Sequence, residues 1–294
     1  MRRLSFLVMT LVLPVALLAG CSSSDDTATE FTTDVPTTPG DSTSTTSTTS
    51  TTPTTSTTEP TPALTILVTN DDGIGAPGID ALVMALSALP DVEIVVVAPA
   101  ENQSGSSDKT TDGEVTASAG ATTSGVAGTA VAGFPADSVI YALDVLGVQP
   151  DVVVSGANTG QNIGTFVPLS GTVGAARTAA RRGIPAIAVS AGGLEGSDYT
   201  AAAQVAADEV AAHRAEFGPT ANAAQTVVNL NTPTCAPGTS VRGVVDVPVA
   251  TVFPEGTNGL DLVFDCASTA TDPADDATAL QIGFAARSIV PADL

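Results

Sequence analysis

Two adjacent carboxylates, Asp71 and Asp72, stand just beyond the apolar segment 64–68. Neighbouring ionised aspartates repel each other, and burying them without a counter-charge is costly. Gly73 follows them, and a glycine allows the backbone to turn sharply. Two interpretations are open. The residues form either a polar turn after a strand, where Asn, Asp and Gly are common, or a divalent-cation site at the carboxyl end of a first parallel strand.

Two other polar loops follow apolar runs that have the character of buried strands. Ser104 lies in the loop 99–113, and Asn158 lies in the glycine-rich loop 156–164. In an open sheet of parallel strands, ligands bind outside the carboxyl ends of the strands. We therefore expect both loops to converge with the paired aspartates at one edge of the sheet.

A further polar segment opens with Ser170, Gly171 and Thr172 and continues with small residues typical of a helix. The start of a helix presents free backbone N–H groups and the positive end of the helix dipole, which together favour an anion such as phosphate. The alternative is an ordinary loop between a strand and a helix, because a glycine-rich loop alone is weak support for a binding site.

Apolar runs and amphipathic segments alternate along the rest of the chain. Strands buried on both faces are nearly continuous apolar runs, whereas helices place apolar residues three and four apart. We predict buried strands at 64–68, 92–98, 151–155, 185–190 and 226–231. We predict helices near 77–89, 134–146, 170–176 and 198–217, weak strands within 115–133, and after Pro233 only short strands and turns, with 272–276 as a solvated turn.

Strands that alternate with helices imply an α/β fold. The expected architecture is a doubly wound, mostly parallel sheet with helices on both faces, because right-handed crossovers place successive helices against the sheet. The region after Pro233 adds a less regular, β-rich C-terminal part.

The balance of charge excludes one class of partner. The formal net charge is −22, and Lys109 is the only lysine. Duplex nucleic acids are bound mainly through phosphate contacts from clustered basic residues, so we expect no binding of nucleic-acid duplexes. A site for a phosphate group on so acidic a protein would need its own cation.

The N-terminus has the pattern of an export signal. Arg2 and Arg3 precede the apolar segment 4–18, which is shorter than an ordinary membrane span. Residues 18–21 then resemble a bacterial lipobox, which predicts lipidation of Cys21 and a membrane anchor without a spanning helix. The alternative is a plain secretory peptide in which the cysteine falls by chance.

Composition divides the chain into three parts. Residues 1–20 are predicted to be the signal peptide, and 21–62 the anchored cysteine and a disordered linker, in which eighteen of the 41 residues from 22 to 62 are threonine. Such a segment cannot bury enough apolar surface to offset its ordering entropy. Residues 63–294 are long enough for one large domain with a full core. The expected location is the outer face of the cell membrane.

Two cysteines, Cys235 and Cys266, lie in the predicted exported domain. Disulfides persist outside the cytoplasm, so the two are candidates for a bridge. Two reduced cysteines are the alternative.

Several of these segments resemble a known family, the SurE 5'/3'-nucleotidases. The resemblance rests on the residues at 66–79, 97–105, 133–137 and 150–176, in that order. It covers about 64–190, and it is looser at 228–233 and 283–291. The resemblance implies a Rossmann-like α/β fold.

The resemblance also implies a ligand set for one divalent metal ion, Mg²⁺ or Mn²⁺: Asp71, Asp72, Ser104 and Asn158. Oxygen ligands of these kinds suit either ion. The implied catalytic residues are Asp71, Asp72 and Asn158, with Asp71 as ligand, base or nucleophile. The implied phosphate-binding residues are Asn70, Ser170, Gly171 and Thr172.

The implied activity is metal-dependent hydrolysis of nucleoside 5'- or 3'-monophosphates or other phosphomonoesters, with a homodimer as the candidate assembly. The alternative is a lipoprotein that binds a solute or a metal on the same scaffold without turnover. Asp108 departs from the neutral or histidine side chain that the family often carries near the phosphate. The region after Asn231 also departs from the family pattern, and so does export on a lipid anchor.

Overall fold

The structure is a computed structural model that describes residues 63–194, 196–218, 225–253 and 255–293. The predicted signal peptide, 1–20, and the predicted linker, 21–62 with Cys21, lie outside the described residues. The strands are β1 (Leu64–Thr69), β2 (Val92–Pro99), β3 (Ala117–Ala121), β4 (Ala127–Val131), β5 (Val152–Thr159), β6 (Ala186–Ala191), β7 (Thr226–Thr232), β8 (Val244–Asp246) and β9 (Ala285–Pro291).

The α-helices are α1 (Pro77–Ser87), α2 (Pro135–Ile140), α3 (Gly171–Arg181), α4 (Tyr199–Ala212) and α5 (Asp276–Gln281). Shorter helical segments of other types are a π-helix at Tyr141–Val145 and 3₁₀ segments at Gly164–Leu169 and Arg214–Glu216. Among the described residues, no helix is both long and apolar enough to cross a bilayer.

The described strands form one sheet in the order β3-β4-β2-β1-β5-β6-β7-β9-β8. The six strands from β4 to β7 in this order run parallel, whereas β3 is antiparallel to β4 and β9 is antiparallel to β7. The predicted α/β fold with a mostly parallel sheet is confirmed. From β1 the chain first adds β2 on one side and later β5 on the other, so the order reverses between β1 and β5. Ligands bind at such a switch point.

The two faces of the sheet are covered by different helices. Ile66 and Val68 belong to the core beneath α1 and α4, whereas Leu67 belongs to the opposite core beneath α2 and α3. All three side chains are fully buried. This burial on both faces explains why β1 is an unbroken apolar run rather than an alternating one.

Two helices approach neighbouring backbone so closely that only glycine fits. A Cβ atom added to Gly78 of α1 would collide with the carbonyl oxygen of Ala157 in β5, and one added to Gly174 of α3 would collide with the carbonyl oxygen of Ser107. The starts of both helices are thereby held against the loops at the carboxyl edge of the sheet.

The C-terminal part corrects one prediction. The interpretation of 272–276 as a solvated turn holds for Asp272 and Ala274, which are exposed, but it is wrong for Asp276, which is fully buried at the start of α5. Its carboxylate accepts backbone N–H bonds from Gly164 (3.1 Å) and Ala250 (2.8 Å). Burial raises the pKa of Asp276 above its ordinary value. A helix of six residues is too short to show the periodicity by which helices are predicted.

A disulfide closes this C-terminal part. It joins Cys235, three residues after β7, to Cys266, and their Cα atoms lie 5.6 Å apart. A Cβ atom on Gly283 would lie 2.5 Å from the Cα atom of Cys266, so the bridge packs against the turn before β9.

Candidate metal and phosphate site

The turn after β1 is fixed by hydrogen bonds within the turn and to the loop after β2. Asn70 donates from Nδ2 to the carbonyl of Gly73 (2.9 Å), and Gly73 adopts φ +101°, which favours glycine. The backbone carbonyl of Asp71 accepts the N–H of Gln103 (2.7 Å). Asn70 thus shapes the turn. Its fully buried Oδ1 has no hydrogen-bond partner among the described residues.

Asp71 is a buried carboxylate held against the start of α3. Only 2% of its surface is exposed, and its Oδ1 accepts a 2.7 Å hydrogen bond from Thr172 Oγ1. Burial raises the pKa of Asp71 to about 6, opposed by the Thr172 hydrogen bonds and reinforced by the neighbouring charge of Asp72. No basic side chain among the described residues forms an ion pair with it.

Asp72 lies between the other two loops. Its Oδ2 accepts the backbone N–H (2.9 Å) and the Oγ1 hydroxyl (3.1 Å) of Thr159. Its Oδ1 accepts from Asn102 Nδ2 (3.2 Å) and Ser104 Oγ (3.5 Å). The structure therefore brings Ser104 to the aspartate pair, as expected from the sequence.

Asn158 reaches the same edge near the end of β5. The register between β5 and β6 shifts between Ser155 and Asn158, and such irregularities redirect side chains next to functional sites. Asn158 Nδ2 donates to the carbonyls of Thr159 (3.1 Å) and Gly160 (2.7 Å). The amide nitrogen is thus occupied, and Oδ1, which accepts no hydrogen bond from the described residues, is left for a ligand.

The start of α3 points at Asp71. Ser170 caps the helix, since its Oγ accepts the N–H of Val173 (3.1 Å) and its carbonyl accepts that of Gly174 (3.0 Å). A Cβ atom on Gly171 would lie 2.8 Å from Asp71 Oδ2. The N-terminus of α3 and the Asp71 carboxylate are therefore adjacent.

Four side chains with buried, unpaired polar atoms cluster at this edge, in the β1 end, the β2 loop and β5. They are Thr69, Asn70, Ser106 and Ser155. Buried polar groups in proteins are nearly always paired, so these atoms are free to bind an ordered water, an ion or a ligand, as are Asn229 Oδ1 and Thr232 Oγ1 on β7. No sequence pattern singled out Ser106, which lies two residues after Ser104 and close to Gly171.

A comparison of the sequence with models of protein families decides the family. Residues 66–251 match the model described as SurE, survival protein SurE. The chain belongs to the SurE family.

Individual SurE proteins give the same result. The chain is 35% identical over 242 residues to a 5'-nucleotidase SurE of Symbiobacterium thermophilum, a match that covers 78% of this chain and 93% of the relative. It is 52% identical over 126 residues to one from Halobacterium salinarum, covering 42% of this chain and 46% of the relative. The crystal structure of SurE from Aquifex aeolicus is similar with a TM-score of 0.62 and 29% identity, covering 78% of this chain and 94% of that one.

Asp108, in the loop that carries Ser104, is paired with arginines of α3. Its Oδ2 lies 2.9 Å from Nη1 of Arg181 and 3.5 Å from Nη2 of Arg177. Partial burial acts to raise the pKa of Asp108, but the two arginines outweigh it and the pKa lies below its ordinary value. Asp108 therefore ties the Ser104 loop to the helix that begins at Gly171.

The donor set fits a hard divalent cation. No three His, Cys, Asp or Glu side chains come together among the described residues, so a site rich in nitrogen, sulfur or carboxylate ligands is absent from them. Two carboxylates, a hydroxyl and an amide oxygen instead match the oxygen ligands of Mg²⁺.

Proposed function

We propose that this SurE-family chain is a divalent-metal-dependent phosphomonoesterase that hydrolyses nucleoside 5'- or 3'-monophosphates to nucleoside and phosphate. The observation that carries the proposal is the contact of Asp71 with the start of α3, where Thr172 Oγ1 lies 2.7 Å from Asp71 Oδ1. An anion-binding helix end there adjoins a buried carboxylate that lacks a counter-charge. The names of the relatives, 5'-nucleotidase SurE, support a nucleotide as the substrate.

Four side chains would hold the metal: Asp71, Asp72, Ser104 and Asn158. When bound, Mg²⁺ or Mn²⁺ would supply Lewis-acid polarisation of a phosphoryl oxygen. Without such a site, a protein of formal net charge −22 would repel a phosphate ester.

The residues of α3 would hold the phosphate. The N–H group of Gly171 and the positive end of the α3 dipole would bind phosphoryl oxygens and stabilise the charge that grows as the ester bond breaks. Asp71 is also placed to accept the proton that the attacking water loses. The water oxygen bonds to phosphorus, the ester P–O bond breaks, and the leaving oxygen takes up a proton to give the nucleoside.

We also propose export on a lipid anchor at Cys21. Arg2, Arg3, the apolar segment 4–18 and the lipobox-like residues 18–21 support it. The test compares the wild-type chain with Cys21→Ser in a bacterial host that lipidates exported proteins. Wild type should sediment with membranes and incorporate labelled palmitate, and Cys21→Ser should do neither. Equal sedimentation and labelling would contradict the anchor.

The test of the activity is phosphate release by the purified chain, stripped with EDTA and reloaded with Mn²⁺ or Mg²⁺. Substrates are p-nitrophenyl phosphate and matched pairs of 5'- and 3'-nucleoside monophosphates. The pairs show whether the enzyme removes the 5'-phosphate, the 3'-phosphate or both. Metal-dependent release supports the proposal. Binding of Mn²⁺ or nucleotide without any release would instead support the alternative, a lipoprotein that binds a solute or a metal without turnover.

A further inference from the structure

Thr159 connects the candidate ligand Asp72 to a tyrosine of another element. Its Oγ1 lies 3.1 Å from Asp72 Oδ2 and 2.8 Å from the hydroxyl oxygen of Tyr199, the first residue of α4. Its backbone N–H also donates to Asp72 Oδ2, at 2.9 Å. Neither Thr159 nor Tyr199 was expected at the site from the sequence.

The direction of these hydrogen bonds follows from counting protons. An ionised carboxylate only accepts, so the single hydroxyl proton of Thr159 goes to Asp72. Thr159 Oγ1 then has only lone pairs to offer, and the Tyr199 hydroxyl must donate to it. The result is one directed chain from Tyr199 through Thr159 to Asp72 Oδ2.

Packing holds the far end of this chain in place. Tyr199 is half-buried, and a Cβ atom on Gly78 of α1 would lie 3.2 Å from its ring atom Cδ1. Because Gly78 has no side chain, the ring lies close against α1. At the near end, Asp72 Oδ1 faces Asn102 and Ser104, so both carboxylate oxygens have fixed neighbours.

We propose that Thr159 and Tyr199 are positioning residues that orient Asp72 and thereby set the affinity of the site for a divalent cation. The inference rests on the proposed metal-dependent function. Hydrogen-bond partners of metal ligands fix ligand orientation, and their loss typically lowers metal affinity about 10- to 100-fold. Tyr199 acts only through Thr159, so its contribution to the affinity for the cation should vanish when the threonine hydroxyl is absent.

The experiment measures Mn²⁺ binding by calorimetry on the full chain after EDTA treatment. The variants are Thr159→Val, Thr159→Ser, Tyr199→Phe and the double variant Thr159→Val/Tyr199→Phe. Tyr141→Phe is the matched control, because Tyr141 is the chain's other tyrosine and its hydroxyl makes no hydrogen bond to the described residues. Thermal unfolding in EDTA checks that each variant is folded.

The expected result is a Kd for Mn²⁺ raised about 10-fold by Thr159→Val and restored by Thr159→Ser. Tyr199→Phe should raise the Kd less, Tyr141→Phe should leave it unchanged, and the double variant should match Thr159→Val alone. Should Thr159→Val not fold, the comparison of Tyr199→Phe with Tyr141→Phe decides.

Two results would overturn the inference while leaving the proposed function standing. They are an unchanged Mn²⁺ affinity in folded Thr159→Val, and effects of Thr159→Val and Tyr199→Phe that simply add. A wild-type chain that binds no Mn²⁺ at all would overturn the metal-dependent function and this inference together.

Discussion

Thr172 Oγ1 donates a 2.7 Å hydrogen bond to Oδ1 of Asp71, and so joins the first turn of α3 to the turn after β1. The two residues lie 101 positions apart in the chain, and both are buried. The bond places the Asp71 carboxylate, which favours a cation, next to the N-terminus of α3, which favours an anion. A phosphate ester bound at the helix start would therefore contact both.

Thr172→Val should reduce kcat/KM for AMP hydrolysis about 10- to 100-fold, since a hydrogen bond to a charged group contributes roughly 1.5–3 kcal/mol. Thr172→Ser retains the hydroxyl and should stay near wild type. Steady-state phosphate release at saturating Mn²⁺ measures both. Thr200→Val, at an exposed threonine of α4, is the control. Wild-type kcat/KM in Thr172→Val would refute the role of this contact.

Asp108 should stabilise the protein in a pH-dependent way. Its folded pKa lies below the ordinary value of 3.8 because Arg177 and Arg181 outweigh its partial burial. Between these two pKa values the unfolded chain binds more protons than the native protein, so the stabilisation is present above about pH 4 and is lost as pH falls through the folded pKa.

The free-energy cost of Asp108→Asn, from urea unfolding, should therefore be largest near neutral pH and shrink as the pH falls below about 4. Asp112→Asn is the matched control, because Asp112 is an exposed acid of the same loop that forms no ion pair with the described residues. A cost for Asp108→Asn that stays constant across this range would contradict the account.

The Cys235–Cys266 bridge closes a loop with a sequence separation of 31. In the loop-entropy model a bridge of this span stabilises the native state by about 3–4 kcal/mol. Reduction with a phosphine should therefore lower the Tm of wild type, whereas the double variant Cys235→Ala/Cys266→Ala should start lower and not respond to reductant. An identical Tm for reduced and oxidised wild type would contradict a stabilising bridge.

Local patterns in the sequence predicted much of the fold and part of the candidate site. The apolar run before Asp71 predicted a buried strand, and the reversal of strand order between β1 and β5 places Asp72 and Asn158 on one edge. Such patterns could not predict the hydrogen bonds and ion pairs that hold the side chains of the site in place. Thr159 meets Tyr199 across 40 residues and Asp108 meets Arg181 across 73, and no periodicity encodes a contact between side chains so distant in the chain.

The proposed function makes Asp71 a ligand in a metal-dependent phosphatase site. The most direct test measures phosphate release from AMP by wild type and Asp71→Asn, each stripped with EDTA and titrated with Mn²⁺. We expect no release without metal, restoration of wild-type activity by Mn²⁺, and loss of at least about 100-fold in kcat for Asp71→Asn at any Mn²⁺ concentration. Release by stripped wild type, or an undiminished rate in folded Asp71→Asn, would contradict the proposed function.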